Sequence, residues 1–175
     1  VGLNENYKTL VPSCFKSEND KIFMIGQMLE KKNSPYFLQD HLNIKQINQF
    51  NDLVDEDFEL EKIHQKFIFN MFKKELIQSA NDISRGGVIY SLIKMIKSKL
   101  GFSIKTQNEL DLFVECLAGY ILVVNQQNCQ NFTKEANLAN IKLIELGMVK
   151  KEIIEINQSK LNFNSIYNCY MNNFA

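Results

Sequence analysis

The chain has no surplus of charge, no long apolar run, no paired cysteines and a single arginine, and each absence closes off a class of function. Lysine plus arginine and aspartate plus glutamate both total 20, so the net charge is zero. Nothing electrostatic therefore selects nucleic acid or an anionic membrane as a partner. The longest stretch free of strongly polar residues, Cys116 to Val124, falls far short of the roughly 18 residues that span a bilayer. The opening residues, VGLNENYKTLV, carry neither a basic nor an apolar signal region, so a cytoplasmic setting is expected. They also lack an initiator methionine, as expected of a piece of a longer polypeptide. Cys14, Cys116, Cys129 and Cys169 are scattered without a Cys-x-x-Cys pair, which argues for reduced thiols over a disulfide framework or a zinc site. His41 and His64 share no motif with any cysteine. His64, beside Ile63 and Phe67, reads as a structural or surface residue rather than a catalytic one.

What is present fits one domain of 175 residues, 45% of them hydrophobic. Residues 21–26, KIFMIG, form an apolar run read as a buried strand. Residues 27–54 are polar and irregular, a long loop or a short helix. From Asp57 to about Leu76, apolar residues recur at three- and four-residue steps, which predicts an amphipathic helix with Asp55 or Asp57 as its N-cap. Glu59, Glu61, Lys73 and Lys74 suit its dipole. A second helix is expected from Gly86 or Gly87, with Ile89, Leu92, Ile93 and Ile96 inward and Gly101 as its C-cap. Strands follow at 102–106, 118–124 and 141–149, with a weaker helix at 126–139 and a closing helix in the tail. The 118–124 strand is apolar throughout and should lie inside a sheet. Phe67, Phe69 and Phe72 read as core, and the lysine pairs 31–32, 73–74 and 150–151 as solvated faces. Helices alternating with short strands indicate a single α+β domain.

Two constellations carry chemistry. In Asn81-Asp82-Ile83-Ser84-Arg85-Gly86-Gly87, the chain enters a helix whose first N–H groups are natural donors to phosphate or carboxylate. The glycines allow close backbone approach, Ser84 can cap the helix, Asp82 can hold a metal or a ribose hydroxyl, and Arg85 can pair with a phosphate. The same residues also make a purely structural turn, with Asp82 and Ser84 satisfying backbone donors and the glycines making room for a neighbouring strand. The second constellation is Glu115, immediately before the apolar strand. It is either an acceptor for ligand hydroxyls or a cap for nearby N–H groups.

Placed in order, these segments resemble a known family. The run from VDEDFELEK through LIQSANDISRGGVIYSLIKM is similar to the final domain of phosphoribosylformylglycinamidine synthase, where LVxSAHDxSDGG leads into a helix. LFVECLAGYILVV resembles that family's LFxESxxR followed by an apolar strand. The opening VGLNENYKTLVPSCFKSENDKIFMIG resembles its VGLIED…VTPDFK…GDxIYLIG, and IELGMV resembles its IGxV. Asp82, Ser84, Gly86, Gly87 and Glu115 match the family motif. The family's histidine is Asn81 here, its acidic residue before the glycines is Arg85, and its Ser-Gln after the glutamate is Cys116-Leu117.

The resemblance implies a three-layer α/β/α sandwich around a mixed, largely antiparallel sheet, of the aminoimidazole-ribonucleotide-synthase C-terminal type. Residues 1–175 would be one such domain, with 1–21 closing off a preceding ATP-binding domain. It implies ATP-dependent amidation of formylglycinamide ribonucleotide in purine synthesis, with ATP and Mg²⁺ used by the full-length enzyme. The implied partners are the preceding domains of the same chain and a glutaminase that supplies ammonia. No catalytic residue and no metal ligand is expected in this chain, and no cofactor bound tightly to it. Asp82, Ser84, Arg85, Gly86, Gly87 and Glu115 would face a second, pseudo-symmetric nucleotide site. The three replaced polar positions imply a weakened site, so the turn is expected to act mostly as structure. Two alternatives share the residues: a hydrogenase-maturation or selenophosphate-synthetase type enzyme, where Arg also precedes Gly-Gly, and a non-catalytic scaffold.

Overall fold

The computed structural model describes residues 10–31, 34, 37 and 58–174. His41, Asp55, Asp57 and most of 27–54 and 1–21's first half lie outside the described residues. Seven strands form one sheet: β1 (Lys21–Met28), β2 (Ser79–Asp82), β3 (Leu100–Ile104), β4 (Cys116–Val124), β5 (Ile144–Lys151), β6 (Ile154–Ile156) and β7 (Ser159–Leu161). Their order is β2-β4-β1-β5-β3-β6-β7. Only the β3–β6 pair is parallel. Four described helices complete the fold: α1 (Phe58–Lys73), α2 (Gly87–Lys94), α3 (Cys129–Leu138) and α4 (Phe163–Phe174).

Strand periodicity divides the core into two. In β1, Ile22 and Met24 point to one side of the sheet while Phe23 and Ile25 point to the other. In β4, Ile121 and Val123 join the first side and Leu122 and Val124 the second. Both strands are thus covered on both faces, which is why each reads as a continuous apolar run. The first side packs under α2 through Val88, Ile89 and Leu92 and under α4 through Phe163. The second packs under α1 through Phe67, Ile68 and Met71 and under α3 through Phe132 and Ala136. There Phe132 meets Phe23 at 5.4 Å and Phe67 at 5.9 Å between ring centroids. Fully burying one such ring contributes about 1.5–3 kcal/mol.

The layering is α/β/α over β2, β4 and β1. No residue of β3, β5, β6 or β7 joins the core under α1 and α3. On that half, Ser103 Oγ donates to Glu155 and Lys150 Nζ to Asn19. An antiparallel sheet tolerates one wet face, so half of it needs no second helical layer.

Three expectations from the sequence are corrected. α2 ends at Lys94, and Gly101 lies inside β3 rather than capping the helix. A Cβ at Gly101 would sit 2.1 Å from the Ile153 carbonyl oxygen, so the glycine serves close strand approach, not helix termination. Of the three phenylalanines read as core, only Phe67 is buried; Phe69 is 49% exposed and Phe72 half-buried. α1 ends at Lys73 rather than near Leu76; Lys74 N still donates to the Asn70 carbonyl at 3.0 Å, and its side chain reaches across to Glu135 at 2.8 Å.

Candidate functional site

The Asn81–Gly87 segment is the end of β2, a turn, and the start of α2. Asn81 and Asp82 pair with Ile121 and Tyr120 of β4, and Ile83 N donates to the Gly119 carbonyl at 2.8 Å. Ser91 Oγ of α2 donates to the Asp82 carbonyl at 2.7 Å, and Asn81 Nδ2 reaches the Ser91 carbonyl at 3.4 Å. The Asp82 carbonyl and the Asn81 side-chain amide thereby tie the end of β2 to α2. The Asp82 carboxylate is largely exposed and lies 3.7 Å from Lys94 Nζ in the last turn of α2.

The turn itself closes when Gly87 N donates to the Ser84 carbonyl at 2.9 Å. The helix N-cap is Gly86, at φ 85°, and no side chain caps the helix. Ser84 thus contributes its carbonyl rather than its hydroxyl, which corrects the expected side-chain cap. Ser84 and Arg85 stand on the surface. Gly87 is buried at φ 65°, and a Cβ there would lie 2.5 Å from the Leu112 oxygen and 2.7 Å from the Val114 oxygen. Its neighbour is the short 3-10 turn Glu109–Phe113 and the residue after it, not a strand.

That contact sets the turn beside Glu115, which is 8% exposed and directly precedes β4. The Glu115 backbone is held on its other side by β1's end, its carbonyl accepting from Leu29 N at 3.0 Å. Asp82 and Glu115 consequently occupy different settings: one in solvent beside Lys94, the other buried behind the turn. Among the described residues no group of three or more His, Cys, Asp or Glu side chains could hold a metal ion.

Four polar residues lie beside this turn: Glu61 and His64, read from the sequence as dipole and structural residues, and Gln65 and Tyr120, which sequence reasoning passed over. α1 turns Glu61, His64 and Gln65 toward β4, His64 buried, Glu61 half-buried and Gln65 exposed. Tyr120 donates its hydroxyl to Glu61, Gln65 Nε2 donates to Glu61 Oε1 at 2.8 Å, and buried His64 Nδ1 lies 2.7 Å from the Ala118 carbonyl. Burial, and then the Glu61 carboxylate, push the Tyr120 hydroxyl up to about 12. Ala118, at φ 47°, marks a kink at the start of β4 that His64 holds. The available signal was the spacing of Glu61, His64 and Gln65, which puts all three on one helical face. Gln65, Tyr120, Asn81 and Asp82, with Phe69 and Ala80, line a shallow cavity of about 310 Å³. Its apolar walls and amide-lined rim suit part of a small organic molecule and offer no cluster of cations for a triphosphate.

The fold is that of the PurL and aminoimidazole-ribonucleotide-synthase-like α+β proteins. Thermotoga maritima PurL, solved in complex with FGAR, superposes with a TM-score of 0.72 over 92% of this chain and 30% of that one, at 14% identity. PurLQS from the same organism gives 0.69 over 92% and 28%, also at 14% identity. In sequence, the chain is similar to the phosphoribosylformylglycinamidine synthase subunit PurL of Pelagibacter ubique, at 29% identity over 184 residues, 98% of this chain and 24% of the relative. The Bartonella quintana subunit PurL is 30% identical over 173 residues, 96% of this chain and 22% of the relative. The chain thus spans about a quarter of these relatives' length, at their C-terminal part. No family model matches the chain.

Proposed function

We propose that this chain is the closing domain of a phosphoribosylformylglycinamidine synthase, a ligase that amidates formylglycinamide ribonucleotide at the expense of ATP. The observation that carries the reading is the end-to-end likeness to PurL subunits, which takes in 98% of the chain. In the proposed reaction ATP phosphorylates the substrate's amide oxygen, and ammonia delivered by a glutaminase displaces the phosphate. T. maritima PurL is known in complex with ATP and with AMPPCP, and a PurLQS assembly exists, which supports ATP use and a multi-subunit partner. A cytoplasmic setting fits such chemistry; among the described residues no helix is long and apolar enough to cross a membrane.

The role proposed for the present residues is support. Asp82, Ser84, Arg85, Gly86, Gly87 and Glu115 descend from a ligand-facing turn and now serve mainly to join β2, α2 and the 109–115 segment. Asp82 tied to Lys94 and Gly87 packed on the Leu112–Val114 backbone favour that role. Asp82 stands in solvent beside Lys94 while Glu115 is buried, which also favours separate supporting roles. Transition-state positioning and charge stabilisation would come from the preceding domains of the parent polypeptide.

Two measurements test this. The coding sequence before Val1 should supply a glycine-rich segment with Asp and Asn metal ligands; its absence from the parent polypeptide would sink the assignment. Calorimetric titration of the isolated chain with magnesium and ATP or ADP should give affinity no tighter than about millimolar, roughly −4 kcal/mol. Turnover of substrate and ammonia by the fragment alone would overturn the supporting role, and micromolar nucleotide binding would show that the turn still works as a site.

A further inference from the structure

Among the described residues, two open grooves flank α3 on the outer surface of the α1 and α3 layer, away from the Asp82 turn. One, of about 570 Å³, runs between the two helices over a floor of Phe67, Met71 and Ile141. The other, of about 640 Å³, lies on the far side of α3 over Phe23. Leu138, at the end of α3, borders both and is 71% exposed, and Ile63, on the α1 wall of the first, is 51% exposed. Large apolar side chains bordering a concave surface are characteristic of interaction sites.

The charge around these grooves is one-sided. Lys66, Lys73 and Lys74 line the first, and Lys21 and Lys134 the second, against only Glu135 and Glu145. Glu135 is paired with Lys74 at 2.8 Å and Glu145 with Lys21 at 2.6 Å. Five lysines less two paired glutamates leave a local excess of three positive charges, on a chain whose net charge is zero. Lys73 also lies 4.3 Å from the Phe69 ring centroid, so its stem and charge border apolar surface.

We infer that this face docks an acidic amphipathic helix of a partner protein. A groove between two helices accepts apolar side chains spaced i, i+3, i+4 and i+7 along one face of a third helix. Glutamates flanking that apolar stripe would meet Lys66 and Lys73 in the first groove, and Lys134 lies across α3 in the second groove. The floor of buried Phe67, Met71 and Ile141 is recessed between the helices, which suits inserted side chains better than a flat lipid surface. The inference uses neither the Asp82 turn nor any nucleotide.

The test titrates the ¹⁵N-labelled chain with a synthetic helical peptide carrying leucine at i, i+3, i+4 and i+7 and glutamate at its flanks. A matched peptide with lysine for glutamate, anionic phospholipid vesicles, and sedimentation of the chain alone serve as the other arms. The acidic peptide should shift amides of residues 63–74 and 134–141, with Kd in the range of about 10–100 μM, and the basic peptide should bind at least about tenfold more weakly. Leu138→Glu and Lys66→Glu should each weaken binding at least about fivefold, with the thermal midpoint unchanged, because both side chains are exposed. Equal affinity for the two peptides, shifts confined to other elements, or no binding would overturn the inference. So would binding to vesicles alone, or self-association that Leu138→Glu abolishes, since these assign the face to a membrane or to a second copy.

Discussion

Replacing Gly87 by alanine or valine separates the structural reading of the turn from a ligand-binding one, because the structural reading sets the size and the order of the effects. Gly87 sits at φ 65°, where an L side chain is strained by roughly 1–2 kcal/mol. An added Cβ would approach the Leu112 oxygen to 2.5 Å, the Phe113 carbonyl carbon to 2.6 Å and the Val114 oxygen to 2.7 Å. All three are backbone atoms, so no side chain can swing away, and the 109–114 segment must move. Overpacking of this kind costs about 1–3 kcal/mol. Together the two effects give roughly 2–5 kcal/mol for the first carbon alone. At about 2–4 °C per kcal/mol for a chain of this size, Gly87→Ala should lower the thermal midpoint by roughly 5–20 °C. Valine should add less than the first carbon did, since the methyl group already forces the shift. Circular-dichroism melting of both variants, alongside Asp82→Asn, gives the answer. Asp82→Asn should change stability by no more than about 1 kcal/mol, because an exposed ion pair is worth little. A Gly87→Ala midpoint within about 2 °C of the parent would refute the packing argument and return the glycine to a ligand-facing role.

Two further perturbations probe the neighbourhood of the turn. His64→Leu leaves the half-buried Ala118 carbonyl without its 2.7 Å partner, and should cost about 1–2 kcal/mol in urea unfolding; an unchanged midpoint would mean that the kink does not depend on α1. Burial pushes the Cys116 thiol up to about 12, so at pH 8.5 its thiolate fraction stays below about one in a thousand, whereas Cys169 is exposed. A short iodoacetamide pulse read by mass spectrometry should modify Cys169 and spare Cys116 until the chain is unfolded or the pH approaches the Cys116 value. Early modification of Cys116 in the native chain would contradict its buried setting.

The parts legible in the sequence were those whose stability is local or whose burial is uniform. β1 and β4 are covered on both faces and so appear as unbroken apolar runs, and α1 and α2 show a helical stripe because one face of each meets the sheet. The Asn81–Gly87 segment was legible as the entry to a helix because its paired glycines and polar residues interrupt two apolar stretches. Tertiary structure decided the rest. β2 consists of Ser79, Ala80, Asn81 and Asp82, none with a strong strand preference, and it exists because β4 supplies its ladder. β6 and β7 are three residues each, too short to show any period, and depend on β3 and on each other. Gly101 matched a helix stop until the Ile153 carbonyl, more than 50 residues away in sequence, claimed the space beside it. The meaning of Gly87 likewise lay outside its own segment, in the backbone at 112–114. A sequence displays periodicity and residue chemistry, whereas the choice between a ligand and a neighbouring carbonyl at a glycine is made by whichever distant segment the fold brings there.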